Sequence, residues 1–313
     1  MTVVEEMQPV LILTDGKAGH ENQSKAFARA LGRPCDVIPV QFKSKFFKAL
    51  SYLLDWLGVH TTFVFDDPGR LDGIDSTAYA AVLGTGSGTF YAAKTFARLF
   101  GVPCGVVLYP RGYRISTFDC VLAPSFDAPK KAPNVIEIPA NLVANDAAFY
   151  ENGVAAFRKR TDVVPEIAVI VGGPNKCSTM TADWMKAQLD EIFKNPGAKA
   201  VTTSRRTPPD VEAVVESYPW DYKLVYSKDH FNPIPAFVKL AKKLYVTAES
   251  TGMLSEACTF GEAEVVALDN LNPGPHKFRR FVEGLVAGGY VNGSRKIDLA
   301  AQFSAAANLL KLK

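Results

Sequence analysis

The sequence predicts an α/β protein built from two Rossmann-like, doubly wound domains. Short apolar runs alternate with segments of helical period along most of the chain, which is typical of βα units in a mainly parallel sheet. Each half of the chain opens as a strand, a glycine-containing loop and a helix, so the two halves resemble each other weakly. The length of 313 residues suffices for two domains of roughly 150 residues each.

The first half supplies strands and helices in alternation. Pro9–Leu13 is an apolar run that predicts a buried strand, and Asn22–Leu31 has the spacing of a helix that ends at Gly32. A second strand and helix follow, and then further short strands. The bounds of these elements are Ala78–Leu83 (strand), Thr89–Phe100 (helix), Cys104–Leu108, Cys120–Ala123 and Val135–Ile138 (strands).

The second half restarts with the strand Glu166–Val171 and the helix Thr181–Phe193, for which Thr181 is a suitable N-cap. Its further predicted strands are Ala200–Thr203, Lys223–Tyr226, Leu244–Thr247 and Glu264–Leu268. The segment between the halves, Glu151–Pro165, is polar and contains a basic cluster. We therefore place the domain boundary there, with domains at residues 1–155 and 160–313.

Composition excludes several classes of protein. The 35 Lys and Arg against 32 Asp and Glu give a net charge of +3, which argues against a dedicated nucleic-acid binder. The five cysteines are far apart and form no C-x-x-C pair, so neither a zinc ribbon nor a disulfide framework is expected. The first ten residues contain two glutamates and no apolar core, unlike a secretory signal. We expect a cytoplasmic protein without a bound metal.

The loop after the first strand concentrates ionisable side chains between a strand and a helix. Gly16 and Gly19 allow close backbone approach to a ligand, and the loop also carries Asp15, Lys17 and His20. A histidine changes charge near neutral pH, so His20 is a candidate general base, with Asp15 as the rival base or as the group that orients it. The alternative interpretation is a polar βα turn in which Asp15 caps the helix.

Two motifs of the second half suit a phosphate ligand. Gly172 and Gly173 follow a strand, a pattern of low specificity. Arg205 and Arg206 follow Ser204 at the end of another strand, and arginine forks match phosphate oxygens. The alternative for this second motif is a solvated basic turn.

A third motif begins the helix after Thr247. Ser250 is a suitable N-cap there, with Thr251 and Gly252 in the first turn and Glu256 four residues after Gly252. This geometry suits a diphosphate on the helix N-terminus and a ribose held by the carboxylate of Glu256. The alternative is a capped helix with a surface glutamate.

Two further segments leave alternatives open. Gly84–Thr89 has three glycines and lies between a strand and a helix, so it suits either a phosphate or sugar ligand or close packing of that helix. Residues 42–57 predict an amphipathic helix with lysines on one side and a wide apolar face. It either covers the sheet or makes a peripheral contact with the inner face of a membrane.

Several motifs in order resemble those of the mitochondrial-fission Elm family, whose bacterial members are assigned as glycosyltransferases. They are D-G-K-A-G-H-E-N-Q-S, G-G-P-N-K, T-T-S-R-R-T-P-P and V-T-A-E-S-T-G-M-L-S-E-A, followed by H-K-F-R-R-F. The resemblance implies the GT-B fold, in which two Rossmann-like domains face a cleft and the second domain holds most of a nucleotide-sugar donor.

Carried over by position, the resemblance also implies roles for individual residues. The loop with Asp15 and His20 would face the acceptor, together with Gly16, Lys17, Gly19 and Asp127. Glu256 would contact the ribose. The contacts to the donor diphosphate would come from Gly172, Gly173, Ser204, Arg205, Arg206, Ser250 and Thr251, beside Gly252.

The function expected from this resemblance is metal-independent glycosyl transfer from a nucleoside-diphosphate sugar, in bacterial cell-envelope glycan synthesis. The donor is a co-substrate, so no cofactor is expected, and the acceptor would be a glycan or a lipid-linked molecule. Two alternatives remain open: a nucleotide-sugar epimerase on the same fold, and a non-catalytic adaptor, since plant members of the family recruit a dynamin-like fission protein.

Overall fold

The computed structural model describes residues 7–67 and 74–312, which form two compact units. Unit 1 comprises Met1–Ile138 and Leu299–Lys313, and unit 2 comprises Pro139–Asp298. Each unit has a parallel sheet with helices packed against it, so the predicted fold class of two Rossmann-like domains is confirmed.

The described part of unit 1 contains a sheet of six parallel strands in the order β2-β1-β5-β6-β7-β8, besides a short antiparallel pair, β3 and β4. The strands are, in chain order, β1 (Val10–Thr14), β2 (Cys35–Pro39), β3 (Gln41–Phe42), β4 (Phe65–Asp66), β5 (Ala81–Thr85), β6 (Cys104–Val107), β7 (Cys120–Pro124) and β8 (Val135–Ile138). Single turns of 3-10 helix lie at Thr62–Val64, Ser76–Ala78, Ile115–Thr117 and Ser125–Asp127. Fully buried apolar side chains fill β1, as the sequence predicts for a strand covered on both faces.

Helices cover both faces of this sheet. They include α1 (Ala18–Ala30), α2 (Lys45–Leu57) and α3 (Phe90–Phe100). The side chains of Leu11 and Val82 lie in one core cluster with Phe96 of α3. Leu83 and Phe27 of α1 both approach Gly105 of β6, and they therefore lie on the other face.

The sheet of unit 2 has the order β11-β10-β9-β12-β13, and all of its strand pairs are parallel. Its strands are β9 (Ile167–Ile170), β10 (Lys199–Thr202), β11 (Tyr222–Leu224), β12 (Lys243–Thr247) and β13 (Glu264–Leu268). From β9 the chain adds β10 and β11 on one side of the sheet, and it then returns to the other side of β9 with β12. This is the doubly wound topology.

The helices of unit 2 are α4 (Ala147–Arg158), α5 (Ala182–Phe193), α6 (Pro209–Ser217), α7 (Ile234–Leu240), α8 (Thr251–Phe260) and α9 (Lys277–Ala287). Met185 of α5 and Val211 of α6 pack with Val169 and Val201 in one core cluster. Helix α4 packs on α7, where the rings of Phe157 and Phe237 are 5.8 Å apart. Thr181 is the N-cap of α5, as predicted, and its hydroxyl accepts a hydrogen bond from the amide of Trp184.

The division into units differs from the predicted one at two places. Residues 139–155 belong to unit 2, and most of the segment Glu151–Pro165 that was expected to link the domains lies in α4 or directly after it. The last helix, α10 (Ala300–Leu309), belongs to unit 1 and contacts β7 and β8. Among the described residues, no helix is both long enough and apolar enough to cross a membrane.

Candidate functional site

In unit 1, β2 is added on one side of β1, and β5 to β8 are then added on the other side. The strand order therefore reverses between β1 and β5. The crevice at the carboxyl ends of two such strands is where open parallel sheets bind ligands. The loops that leave β1 and β5 carry Asp15 and the Gly84–Thr89 motif, so both lie at this position.

Asp15 and His20 contact each other. The Asp15 side chain is nearly buried, and its Oδ2 lies 2.6 Å from Lys17 Nζ. Nδ1 of His20 is 3.1 Å from both carboxylate oxygens. With its proton on Nδ1, His20 donates to the carboxylate, which leaves Nε2 as an acceptor. Asp15 therefore orients the imidazole, as in the dyads of general-base catalysis.

The environment keeps Asp15 ionised. Burial alone would raise the pKa of its carboxyl, but the hydrogen bonds and positive charges of Lys17 and His20 outweigh that effect and lower it. A carboxylate with a lowered pKa, already bonded on both oxygens, is a poor proton acceptor. Of the two rival bases, the geometry favours His20.

The helix after this loop starts earlier than predicted. The expected start at Asn22 is wrong: α1 begins at Ala18, with Lys17 as the N-cap residue. The reason is Gly16, whose φ of 77° turns the chain so that the amides of His20 and Glu21 bond to the carbonyl of Lys17. His20 thus lies on the first turn of a helix, which fixes its direction better than a loop would.

The glycines of the second loop make room for these side chains. A Cβ on Gly86 would lie 2.3 Å from the His20 ring, and one on Gly88 would lie 2.7 Å from the Asp15 Cβ. Gly86 also has a φ of 85°, which disfavours other residues. Close packing of the following helix, one of the two roles left open for Gly84–Thr89, is supported at Gly84, where a Cβ would lie 2.8 Å from Thr89 Oγ1 and 3.3 Å from Ala93 of α3.

The other residues expected on the acceptor side are less closely associated. Gly16 and Gly19 have open space where a side chain would be, and Lys17 is exposed apart from its bond to Asp15. Asp127 follows β7, and its Oδ2 accepts a long hydrogen bond from the amide of Tyr109 (3.5 Å). Three strand spacings, about 14 Å, separate β7 from β1 in the sheet, so Asp127 is not part of the Asp15–His20 cluster.

Unit 2 has its own reversal of strand order, between β9 and β12. The amide of Gly172 donates to Thr247 Oγ1 (2.8 Å), and Thr207 Oγ1 donates to the Gly172 carbonyl (2.6 Å). A Cβ on Gly172 would lie 2.1 Å from Glu249 Oε1, and one on Gly173 would lie 2.3 Å from the Arg206 carbonyl oxygen. These glycines therefore let three loops at the carboxyl edge pack together, and the Gly172 amide already has its acceptor.

The loop after β10 carries two arginines that remain available to a ligand. Ser204 and Thr207 bond to each other and shape the turn, while the side chains of Arg205 and Arg206 are exposed. Neither guanidinium forms an ion pair with any residue that the structure describes. Two unpaired guanidinium groups beside the carboxyl ends of β9 and β10 suit the oxygens of a phosphate.

The start of α8 lies at the same edge of the sheet. Ser250 is the N-cap residue, but its side chain makes no capping hydrogen bond, and Gly252 is exposed with open space beside it. Among the described residues, the amides of Gly252 and Met253 have no acceptor, so this helix end keeps free donors. Thr251 is half-buried, and its amide bonds to the Glu249 carbonyl.

Glu256, one turn further along α8, is held by one side chain of α4 and one from the residues just before that helix. Its Oε1 accepts hydrogen bonds from Tyr150 (2.9 Å) and Asn145 (3.5 Å). Burial raises the pKa of this carboxyl, and the two hydrogen bonds only partly offset the effect. Oε2 takes no hydrogen bond from any described residue, so one carboxylate oxygen remains available to a ligand.

Sequence reasoning missed five residues of this arrangement: Asn145, Tyr150, Thr207, Thr247 and Glu249. The two threonines stood within recognised motifs: Thr247 is the last residue of β12 and Thr207 lies in the loop after β10, and a hydroxyl at the carboxyl edge of a sheet was a usable signal. Tyr150 lay in the segment assigned to the other domain, and no local pattern could have linked it to Glu256.

Solved structures with a similar fold are nucleotide-sugar enzymes of the GT-B class. UGT89C1 of Arabidopsis thaliana in complex with UDP is 10% identical with a TM-score of 0.54, covering 97% of this chain and 90% of that one. UGT71G1 of Medicago truncatula with UDP-glucose is 10% identical with a TM-score of 0.52, covering 99% and 91%. A Listeria monocytogenes protein assigned as a UDP-N-acetylglucosamine 2-epimerase is 12% identical with a TM-score of 0.54, covering 97% and 88%.

A curated relative matches part of the chain. The uncharacterized protein RP120 of Rickettsia prowazekii is 30% identical over 128 residues, which cover 38% of this chain and 36% of that protein. The match thus spans about a third of the relative's length. The family described as mitochondrial fission ELM1 matches residues 18–307, nearly the whole chain. The chain therefore belongs to the mitochondrial fission ELM1 family, as its motifs predict.

Proposed function

We propose that this protein is a glycosyltransferase that takes a sugar from a nucleoside diphosphate and transfers it to a hydroxyl group. The observation that carries the proposal is the carboxyl edge of unit 2. Three loops are bonded together there, and they present unpaired Arg205 and Arg206 and the free amides of α8. The similar structures that contain UDP or UDP-glucose support a uridine nucleotide as the donor.

Unit 1 supplies the base in this proposal. Nε2 of His20 takes the proton of the acceptor hydroxyl, and the acceptor oxygen forms a bond to the anomeric carbon of the sugar. The bond from that carbon to the diphosphate oxygen breaks, and its electron pair leaves with the nucleoside diphosphate. Arg205, Arg206 and the α8 amides stabilise the charge on this leaving group. Asp15 stabilises the imidazolium that forms.

The donor site is tested by binding of UDP in calorimetry. Replacing Arg205 and Arg206 with alanine should weaken binding by about 1.5–3 kcal/mol or more, the worth of hydrogen bonds to charged groups. The matched control replaces Arg158 and Lys159, two adjacent exposed cations of unit 2 at the end of α4, and should leave UDP binding nearly unchanged. Equal losses in both double variants would mean that the arginines act through net charge alone.

Turnover separates the proposal from its alternatives. Release of UDP from UDP-sugars in the presence of a hydroxyl acceptor supports transfer. Conversion of the donor into an epimer without release of UDP supports the epimerase alternative. The likeness to the Listeria monocytogenes protein is the observation that favours this alternative. UDP binding without any turnover would favour the alternative of a non-catalytic, cytoplasmic adaptor protein.

A further inference from the structure

One surface of unit 1 exposes more large apolar side chains than the rest of the described chain. They belong to α2 and the turn after it, and we call this surface the α2 face: Phe46, Leu53, Trp56, Leu57, Val59 and Phe63. Phe46 and Trp56 are 68% and 69% exposed, values that are unusual for side chains of this size. The rings of Phe46 and Phe63 each lie 5.5 Å from the Phe47 ring, which joins the helix to the turn after it. A large exposed apolar patch of this kind marks an interaction site.

The geometry of α2 explains why this face points outward. At 100° per residue, Phe46, Leu53 and Leu57 fall within about 40° of one another around the helix. Asp55 lies on the opposite side, where it is buried in an ion pair with Lys94 of α3 (2.7 Å). The ion pair fixes the rotation of α2, and the α2 face is what remains outside.

The exposed charges within and just before α2 are basic. Lys43, Lys45 and Lys48 precede or begin this helix. Its one acidic residue, Asp55, is buried, and exposed carboxylates follow only after Phe65, at Asp66 and Asp67. Cations at a helix N-terminus oppose the helix macrodipole, so these lysines weaken the helix that carries them. Lys43 Nζ lies 4.3 Å from the Phe63 ring, and Lys48 Nζ donates to Ser87 Oγ. None of the three lysines pairs with a carboxylate of a described residue, however, so an external anion is a favourable partner.

We propose that the α2 face docks on the surface of an anionic lipid bilayer. Aromatic and leucine side chains would enter the boundary between headgroups and acyl chains, and the lysines would contact lipid phosphates. A second copy of this face is a poorer partner, because it would bring a second set of the same three lysines against the first.

The docking surface adjoins the loops of the proposed base. Lys48 Nζ donates to Ser87 Oγ (2.8 Å), and the neighbouring Gly88 packs against Asp15. This step alone rests on the proposed transfer: if that is right, the acceptor hydroxyl belongs to a molecule anchored in that bilayer. The docking itself does not depend on catalysis.

The test is sedimentation of the full chain with vesicles of phosphatidylcholine, with and without phosphatidylglycerol. Wild-type protein should bind the phosphatidylglycerol vesicles and lose binding at high salt. Leu53→Ser should weaken that binding by at least about tenfold, as expected when a leucine is withheld from the apolar phase. Leu99→Ser is the matched control, because Leu99 of α3 is similarly exposed (61% against 51% for Leu53) but lies outside the α2 face.

Three results would overturn the proposal: wild-type protein that stays in the supernatant, equal binding with and without phosphatidylglycerol, and equal losses for Leu53→Ser and Leu99→Ser. A wild-type dimer in sedimentation velocity that Leu53→Ser dissociates, without vesicle binding, would assign the face to a second copy instead. UDP calorimetry on the same variants keeps this test separate from the donor site, since both should bind UDP like the wild type.

Discussion

Asp15 and His20 have distinct roles that follow from their contacts. His20→Ala should lower transfer by about 10²–10⁴-fold, the usual contribution of a positioned base. UDP affinity should stay within about threefold, because the proposed donor residues belong to unit 2. Asp15→Asn should lower transfer less, since it removes the orienting charge but leaves Nε2 in place. Initial rates and UDP calorimetry on both variants measure this.

The opposite ranking would reverse the assignment. If Asp15→Asn abolishes turnover and His20→Ala barely changes it, the carboxylate is the base. If both variants keep full activity, the contact only fixes the turn before α1.

Glu256 should distinguish a ribonucleoside diphosphate from pyrophosphate. Glu256→Gln removes the charge but keeps an oxygen that accepts the Tyr150 hydrogen bond, so the helix should remain intact. We expect weaker UDP binding and nearly unchanged pyrophosphate binding in calorimetry. Similar losses for both ligands would show that the residue acts through folding or overall charge.

Glu249 makes stability depend on pH. It is almost completely buried, and burial raises the pKa of its carboxyl, which hydrogen bonding at Thr247 only partly offsets. The folded state therefore prefers the protonated form. Its contribution to stability is complete below the ordinary pKa of a glutamate and is lost as the pH rises through the raised value.

Replacing this carboxyl removes that dependence. Relative to wild type, Glu249→Gln should gain free energy of unfolding as the pH rises from acidic to neutral in urea titrations. A difference between the two proteins that stays constant over this range would mean that the carboxyl titrates alike in the folded and unfolded chains.

Glycine shows where sequence reasoning about single residues stops. Gly172, Gly173, Gly86 and Gly88 were recognised because each follows a strand, and each does lie at a carboxyl edge. Their contacts are with Glu249, Arg206, His20 and Asp15 of the same chain. A glycine reports that something approaches closely, and only the fold tells whether a ligand or another loop does so.

At the scale of elements, apolar runs predicted every described strand of the two parallel sheets except β2. The strands at Val135–Ile138 and Glu264–Leu268 were predicted with their observed bounds. Strand β2 was missed, because Cys35–Pro39 contains an aspartate, ends in a proline and is only half-buried at the edge of the sheet. Edge position alone does not hide a strand, since β8 and β13 are also edge strands and keep a mostly apolar run.

The contact between α2 and α3 depends on the ion pair of Asp55 and Lys94, whose side chains are both 1% exposed. Lys94 Nζ also donates to the Arg114 carbonyl, and the Arg114 amide donates to Asp55 Oδ2. Lys94→Met keeps most of the volume but leaves a buried carboxylate without its cation, which should cost about 3–5 kcal/mol of unfolding free energy.

The control for this substitution is Lys25→Met. Lys25 forms an equally short ion pair with Glu21 (2.7 Å) on the exposed surface of α1, where the loss should stay below about 1 kcal/mol. Urea denaturation compares the two variants. Equal effects would mean that α2 is held by its apolar contacts rather than by the buried pair.

At the scale of the whole molecule, the number of parallel-sheet units followed from the repeated order of strand, glycine loop and helix. The membership of the last helix did not. Residues 300–309 are rich in alanine and could cover either sheet, and only the tertiary structure assigns them to β7 and β8 of unit 1. Sequence periodicity shows which face of a helix is buried, but it does not show which sheet covers that face.

The return of the last helix to unit 1 predicts a selective effect of truncation. Leu310 is fully buried and lies against Gly105 of the first sheet, where a Cβ would be 3.3 Å from it, and Leu312 is nearly buried. A chain that ends at Asp298 should lose about 3–6 kcal/mol of stability in unit 1 from these two leucines alone. In hydrogen exchange, amides of β6–β8 should lose protection, while those of β9–β13 should keep it.

The single substitution Leu310→Ala should give the same pattern of lost protection, with a loss of about 2–5 kcal/mol in stability. Loss of protection in both sheets to the same degree would show that the two units unfold together and that the division at residues 138 and 298 has no energetic meaning.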